Sequence, residues 1–331
     1  KAEACSVANA LEPGSLTVRD TPNAAAMTYL LGKDYQIEPR WGGFGRLEGG
    51  AIPADKPVYA SYRYAMMRLD SVVLTPDKKL LIRKGVPHVA TPRPPELEAG
   101  ETRMGNVWLP GRVTQLTPGM LFPILETAYP EPQRVGLAAA ERLLPKTLAK
   151  LRGGAPVRIL AWGDSVTECV YLPLEQKWQG QFAARLRERF PKAGIIMLSE
   201  GWGGRTTTAY RNEPPGSLHN YAEKVLALKP DLIVSEFIND ASMNEAAVLE
   251  NYGAILKDFK RIGAEWIILT PHYARPDWMG LKQETGIDQD PRPYVSGLRL
   301  FAANNGVALA DASLRWGRLW RQGLPYSTLL M

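Results

Sequence analysis

Five apolar runs between residues 156 and 331 set the narrowest limit on how this chain folds. They are VRILAWG from Val157, GIIMLS from Gly194, LIVSE from Leu232, EWIILT from Glu265 and GVALA from Gly306. Each has strand length, and amphipathic stretches separate them. The clearest of these carries Trp178, Phe182, Leu186 and Phe190 at helical spacing on one face. Strand and helix alternating in this way predict a parallel five-stranded sheet with helices on both faces, a three-layer α/β/α domain. No fixed-period repeat competes with that reading.

The first half has another texture. Pro and Gly interrupt it every few residues, and short runs such as PVYASYRY and SVVLTPDKKLLIRKG alternate in polarity. The second run reads as a hairpin, rising over Val72 to Thr75, turning at Pro76-Asp77 and returning over Leu80 to Arg83. Residues 1–130 are therefore expected to form a separate β-rich domain of sandwich type. Residues 131–155 read as a helical linker, broken at Pro145 and stopped at Gly153-Gly154. The α/β domain then fills 156–331.

Composition excludes several classes. No run approaches the roughly 18 apolar residues of a membrane-spanning helix. The formal charge of +6 is spread over 40 basic and 34 acidic residues with no basic block, so nucleic acid is not an expected partner. Cys5 and Cys169 stand far apart, which argues against a disulfide framework and against a zinc site. Neither a metal nor an organic cofactor is expected. The first residue is Lys rather than Met, read as a sign of a trimmed leader, so a secreted or periplasmic location is expected.

In a parallel sheet, ligands bind at the carboxyl ends of the strands. The segments there are Gly163-Asp164-Ser165, SEGWGGRTTT, EFINDAS, TPHYARPDW and Asp311. Ser165, the Gly-rich turn with Gly201, and Asn239 in Ile-Asn-Asp resemble, in order, the first three blocks of the SGNH hydrolases, or GDSL esterases, whose sheet is flavodoxin-like. The resemblance covers about 156–331 and implies a Ser165 nucleophile. It also implies three donors for the oxyanion: the N–H groups of Ser165 and Gly201 and the side-chain amide of Asn239. A serine hydroxyl needs a base, and the tetrahedral intermediate needs fixed donors. Among Gly201, Gly203 and Gly204, spacing favours Gly201.

Two departures follow. Phe237 holds the position of a Gly in the third block, which is expected to narrow the pocket. The family's Asp-x-x-His block, source of the base, has no counterpart: Asp311 is followed by Leu314. Three readings stay open. The His lies beyond Met331, or His272 supplies the base, or the chain is a non-catalytic binding protein or an inactive fragment. His88 and His219, the latter placed on a helix, read as structural. Asp164, Trp202, Arg205, Asp240, Tyr273 and Arg275 are expected to contact substrate, with Trp278 in the same wall. Asp240 also reads as the cap of a helix starting near Met243, and Cys169 as a buried thiol. These loops, rich in Trp, Tyr and Arg, favour an acylated carbohydrate over a lipid, so the expected activity is a carbohydrate acetyl esterase. Glu200, Glu236 and Asp240 offer a glycosidase-like carboxylate pair as the alternative, which leaves Ser165 and Asn239 unexplained. Nothing in the sequence fixes the oligomeric state.

Overall fold

In the computed structural model, residues 8–131 and 138–329 are described; Cys5 lies outside them. By internal contact the chain divides into two units. The first comprises residues 1–129, 274–287 and 318–331, and the second 130–273 and 288–317.

The Pro and Gly interruptions cut the first unit into short antiparallel strands. β1 (Thr17–Arg19), β2 (Thr28–Tyr29) and β5 (Tyr59–Ser61) form one sheet in the order β2-β1-β5. β3 (Tyr35–Glu38) and β4 (Gly43–Arg46) pair alone. β6 (Arg68–Leu74), β7 (Leu80–Arg83), β8 (Thr102–Leu109) and β9 (Leu121–Pro123) form a third sheet in the order β7-β6-β8-β9. The hairpin read from sequence is β6–β7, with Leu74 opposite Leu80 and Ser71 opposite Arg83.

A cut at residue 156 differs from this division, because two later segments fold with the first unit. Residues 318–329 return to the strand β9 end: Leu125 and Glu126 N–H groups donate to Arg321 O at 2.7 and 2.9 Å. Asn106 Nδ2 donates to Gly323 O at 2.7 Å. The last of these bonds satisfies the amide of buried Asn106.

The second unit opens with α1 (Ala139–Leu143) and α2 (Pro145–Gly153), broken where Pro145 starts a new helix. Then come β10 (Val157–Gly163), α3 (Ser165–Glu168), α4 (Trp178–Arg189), β11 (Ile195–Gly201), α5 (Thr207–Asn212), β12 (Leu232–Glu236), α6 (Glu245–Ile262), β13 (Glu265–Leu269), α7 (Pro293–Asn305), β14 (Ala308–Ala310) and α8 (Ala312–Trp316). The sheet is parallel throughout in the order β11-β10-β12-β13-β14.

Alternation along the central strands feeds two cores. Leu160, Trp162 and Ile233 pack with Val248, Tyr252, Ile255 and Phe259 of α6 and with Leu298 and Phe301 of α7. Val157, Ile159, Leu232 and Val234 face the other way, against Leu151 of α2 and Trp178, Phe182, Leu186 of α4. Asn244, not Asp240, caps α6: its side chain accepts from the Ala247 N–H at 2.9 Å. No helix among the described residues is long and apolar enough to cross a membrane.

Candidate active site

β10 and β12, adjacent in the sheet, end in the two segments that build the site. After β10, Asp164 leaves extended geometry and caps α3, its Oδ1 accepting from the Val166 N–H at 3.1 Å. Ser165, the first residue of α3, is exposed. Asp164 is itself 0% exposed. Its Oδ2 accepts from the Asn239 backbone N–H at 2.9 Å and from Asn239 Nδ2 at 2.8 Å. Burial pushes the Asp164 pKa up, and the amides of Asn239 and Val166 oppose that shift. One carboxylate therefore fixes the residues that flank the site from both strands. It leaves one of the two Nδ2 hydrogens of Asn239 uncommitted to Asp164.

The third wall is the turn after β11. Trp202 N–H donates to Gly163 O at 3.1 Å. N–H groups alternate in direction along an extended strand, so that of Gly201 points away from β10. Gly201 is needed for packing: a Cβ there would lie 2.3 Å from Glu168 N. Gly203 N–H donates to Glu168 Oε2 at 2.8 Å, and a Cβ on Gly203 would lie 3.7 Å from Ser165 Cβ. Gly204, at φ +72°, is exposed, and its N–H donates to no protein group among the described residues. Glu168, three residues beyond Ser165, escaped the sequence reading, although its i,i+3 spacing on a helix places it one turn from Ser165.

A second pair was also missed. His219 lies in a turn rather than a helix. Its Nδ1 is 2.7 Å from Glu200 Oε1, and its ring stacks on Trp202 with centroids 4.6 Å apart. Tyr210 OH donates to Gly163 O at 3.2 Å, and its ring meets Trp202 edge-on at 5.4 Å. The Arg205 guanidinium lies 4.9 Å from the Trp202 ring centroid. These contacts tie the Gly-rich turn to the end of β10.

Other expectations are corrected by burial. Tyr273 is 0% exposed and stacks on Trp316, so its ring cannot meet a ligand at the surface. Phe237 is 1% exposed and packs edge-on against Trp162 at 4.8 Å. It fills the core and does not narrow a pocket. Asp164 and Asp240 are equally enclosed and hold neighbouring segments in place of substrate. Glu236 is 2% exposed, which removes it, with Asp240, from any pair of solvent-facing carboxylates. Arg275 groups with the first unit. Cys169 is a free, buried thiol.

His272 makes no hydrogen bond to Ser165. Burial, helped by the Arg292 guanidinium, pulls its pKa down to about 4, and Arg292 Nη2 donates to its carbonyl at 2.9 Å. Asp311 caps α8 through the Leu314 N–H at 3.3 Å and takes Arg299 Nε at 2.8 Å.

Asp240 is a fully buried acid of the same unit. Its Oδ1 accepts from the Thr207 N–H at 3.1 Å, and its Oδ2 from Thr207 Oγ1 at 2.7 Å and Tyr252 OH at 3.0 Å. Burial outweighs these donors and raises its pKa from 3.8 to about 6. A raised folded-state pKa favours folding below 3.8, and that contribution is lost as pH climbs through 6, on the order of 3 kcal/mol in all. Asp240→Asn keeps an acceptor for Thr207 N–H and carries no charge. Denaturant melts at pH 4 and pH 8 are expected to show the parent losing up to that amount relative to the variant, and equal pH dependence would refute it.

The parallel α/β/α unit thus carries Ser165, exposed at the start of a capped helix, at one strand end and the anchored Asn239 at the next. The sequence profile of the GDSL-like lipase/acylhydrolase family matches residues 161–331, more than half of the chain. The chain belongs to that family. No curated protein matches the chain. Among solved structures it is similar to a two-domain esterase (CEX) active on acetylated mannans, at 15% identity and TM-score 0.42 over 54% of this chain and 43% of that one. It thus spans less than half of that esterase. It is also similar to AlinE4, an SGNH-hydrolase family esterase, at 18% and 0.33 over 46% and 74%. A lipase/acylhydrolase from Enterococcus faecalis matches at 22% and 0.33 over the same shares.

Proposed function

We propose that this protein is a serine esterase that removes acyl groups, acetyl first among them, from carbohydrate. The observation that supports the reading most is the Asp164 carboxylate, which caps the helix bearing exposed Ser165 while gripping Asn239 through both its amides. Ser165 Oγ bonds to the acyl carbon and gives up its proton to a base; the sugar oxygen leaves as an alcohol, and water then releases the acid from the acyl-serine. The oxyanion is held by Ser165 N–H, by Asn239 Nδ2 and, from the Gly-rich turn, by Gly204 N–H in place of Gly201. That last choice rests on direction: Gly203 N–H serves Glu168, and Gly201 N–H faces away from β10.

Trp202 and Arg205, beside the same turn, are the proposed sugar contacts on this unit. The test is acetate release from acetylated xylan and acetylated glucomannan beside hydrolysis of a long-chain aryl ester. Preference for the long chain would overturn the carbohydrate assignment.

Neither imidazole of the second unit, His219 or His272, is assigned the part of base, since neither hydrogen-bonds to Ser165. A general base is worth about 10²- to 10⁴-fold, whereas His272→Ala is expected to leave kcat/KM within about threefold. Aryl acetate kinetics check this, and a hundredfold loss would make His272 the base.

A further inference from the structure

Arg275 and Trp278 were expected in the esterase wall, yet both fold with the first unit, where they meet Trp41. The Arg275 guanidinium carbon lies 3.9 Å from the centroid of the Trp41 ring and 4.2 Å from that of Trp278. Arg40 approaches the same Trp41 ring at 5.3 Å. Arg275 Nη2 reaches Asp277 Oδ2 at 3.4 Å. Two indoles thus hold one cation.

The segment is fixed by its own backbone. Met279 N–H donates to Arg275 O at 3.2 Å, Gly280 N–H to Asp277 O at 3.2 Å and Leu281 N–H to Pro276 O at 2.8 Å. Further along, the Glu284 carboxylate accepts from Ser327 N–H and Oγ at 3.0 and 2.7 Å. Trp278 is nevertheless 70% exposed. Packing accounts for the guanidinium stack and leaves the indole surface beyond it unused. A large aromatic held rigid and open in this way is a preorganised contact surface.

We propose that Trp41, Arg275 and Trp278 form a stacking platform for a pyranose ring, giving the β-rich unit a binding site for neutral glycan. The C–H face of a pyranose is apolar, with hydrogens of slight positive charge, and lies flat on the negative face of an indole. The Nη groups of Arg275 and the Asp277 Oδ2 beside them, on side chains each 25% exposed, donate to and accept from ring hydroxyls. Nucleobases also stack on indoles, but single-stranded nucleic acid requires a cationic groove for its phosphates. Here the guanidinium is covered by two rings and accompanied by an acid. The site goes beyond the esterase reading and is independent of it.

The test uses the full chain carrying Ser165→Ala, so that binding is read without turnover. Mannopentaose, xylohexaose and cellohexaose are titrated by calorimetry, with poly(U) as the competing class. At least one oligosaccharide is expected to bind. Adding Trp278→Ala should weaken it at least about tenfold, while Trp278→Phe, which keeps a flat ring, stays within about threefold. A readout without substitution at the platform is oxidation of Trp278 by N-bromosuccinimide, followed by peptide mass; the bound sugar should protect that indole. No oligosaccharide binding, binding indifferent to Trp278→Ala with no protection, or a preference for poly(U) would each overturn the proposal. Loss of esterase activity is not read in any arm, so failure of the esterase reading leaves these outcomes intact.

Discussion

Ser165→Ala is expected to lower kcat/KM for a short-chain aryl ester by at least about 10³-fold, because removing a nucleophile removes the covalent route and leaves only oxyanion donors and binding. The melting temperature should change little: Ser165 is exposed, and the cap of α3 is supplied by Asp164, whose Oδ1 takes the Val166 N–H. A large rate loss at unchanged stability separates chemistry from folding. A variant as active as the parent would leave the site without its nucleophile.

Asn239→Ala is expected to cost about 10²- to 10³-fold in kcat with KM nearly unchanged, the signature of a donor that acts on the transition state alone. The substitution removes the amide hydrogen that Asp164 leaves free, and it also removes the 2.8 Å bond to Asp164 Oδ2. Asp164 keeps the 2.9 Å bond from the backbone N–H at 239, so the turn should hold. Steady-state kinetics distinguish the outcomes: a rise in KM at constant kcat would mean that Asn239 only binds substrate.

Much of this was legible from local pattern. The strands at Val157–Gly163 and Leu232–Glu236 follow from unbroken apolar runs, and Trp178 to Leu186 mark α4 by period alone. Ser165 and Asn239 stand at the ends of adjacent strands, where a parallel sheet delivers them. The sequence reading failed where tertiary packing chooses a side chain's direction. Phe237 and Tyr273 follow strands as loop residues do, yet both turn inward, against Trp162 and Trp316. Asp240 looked like a helix cap because a helix begins nearby, but Thr207, at the start of α5, claims its carboxylate. Gly201 was singled out for an approach to substrate; the constraint it obeys comes from Glu168 packed against it. Trp41 carried no local signal at all, since its partners Arg275 and Trp278 reach it only through the fold.

The most direct measurement is covalent. The full chain is treated with a fluorophosphonate, and the modified residue is located by peptide mass spectrometry. The expected result is a single adduct on Ser165, absent from the Ser165→Ala chain. An adduct on another residue, or labelling of Ser165→Ala equal to that of the parent, would contradict the assignment of Ser165 as nucleophile.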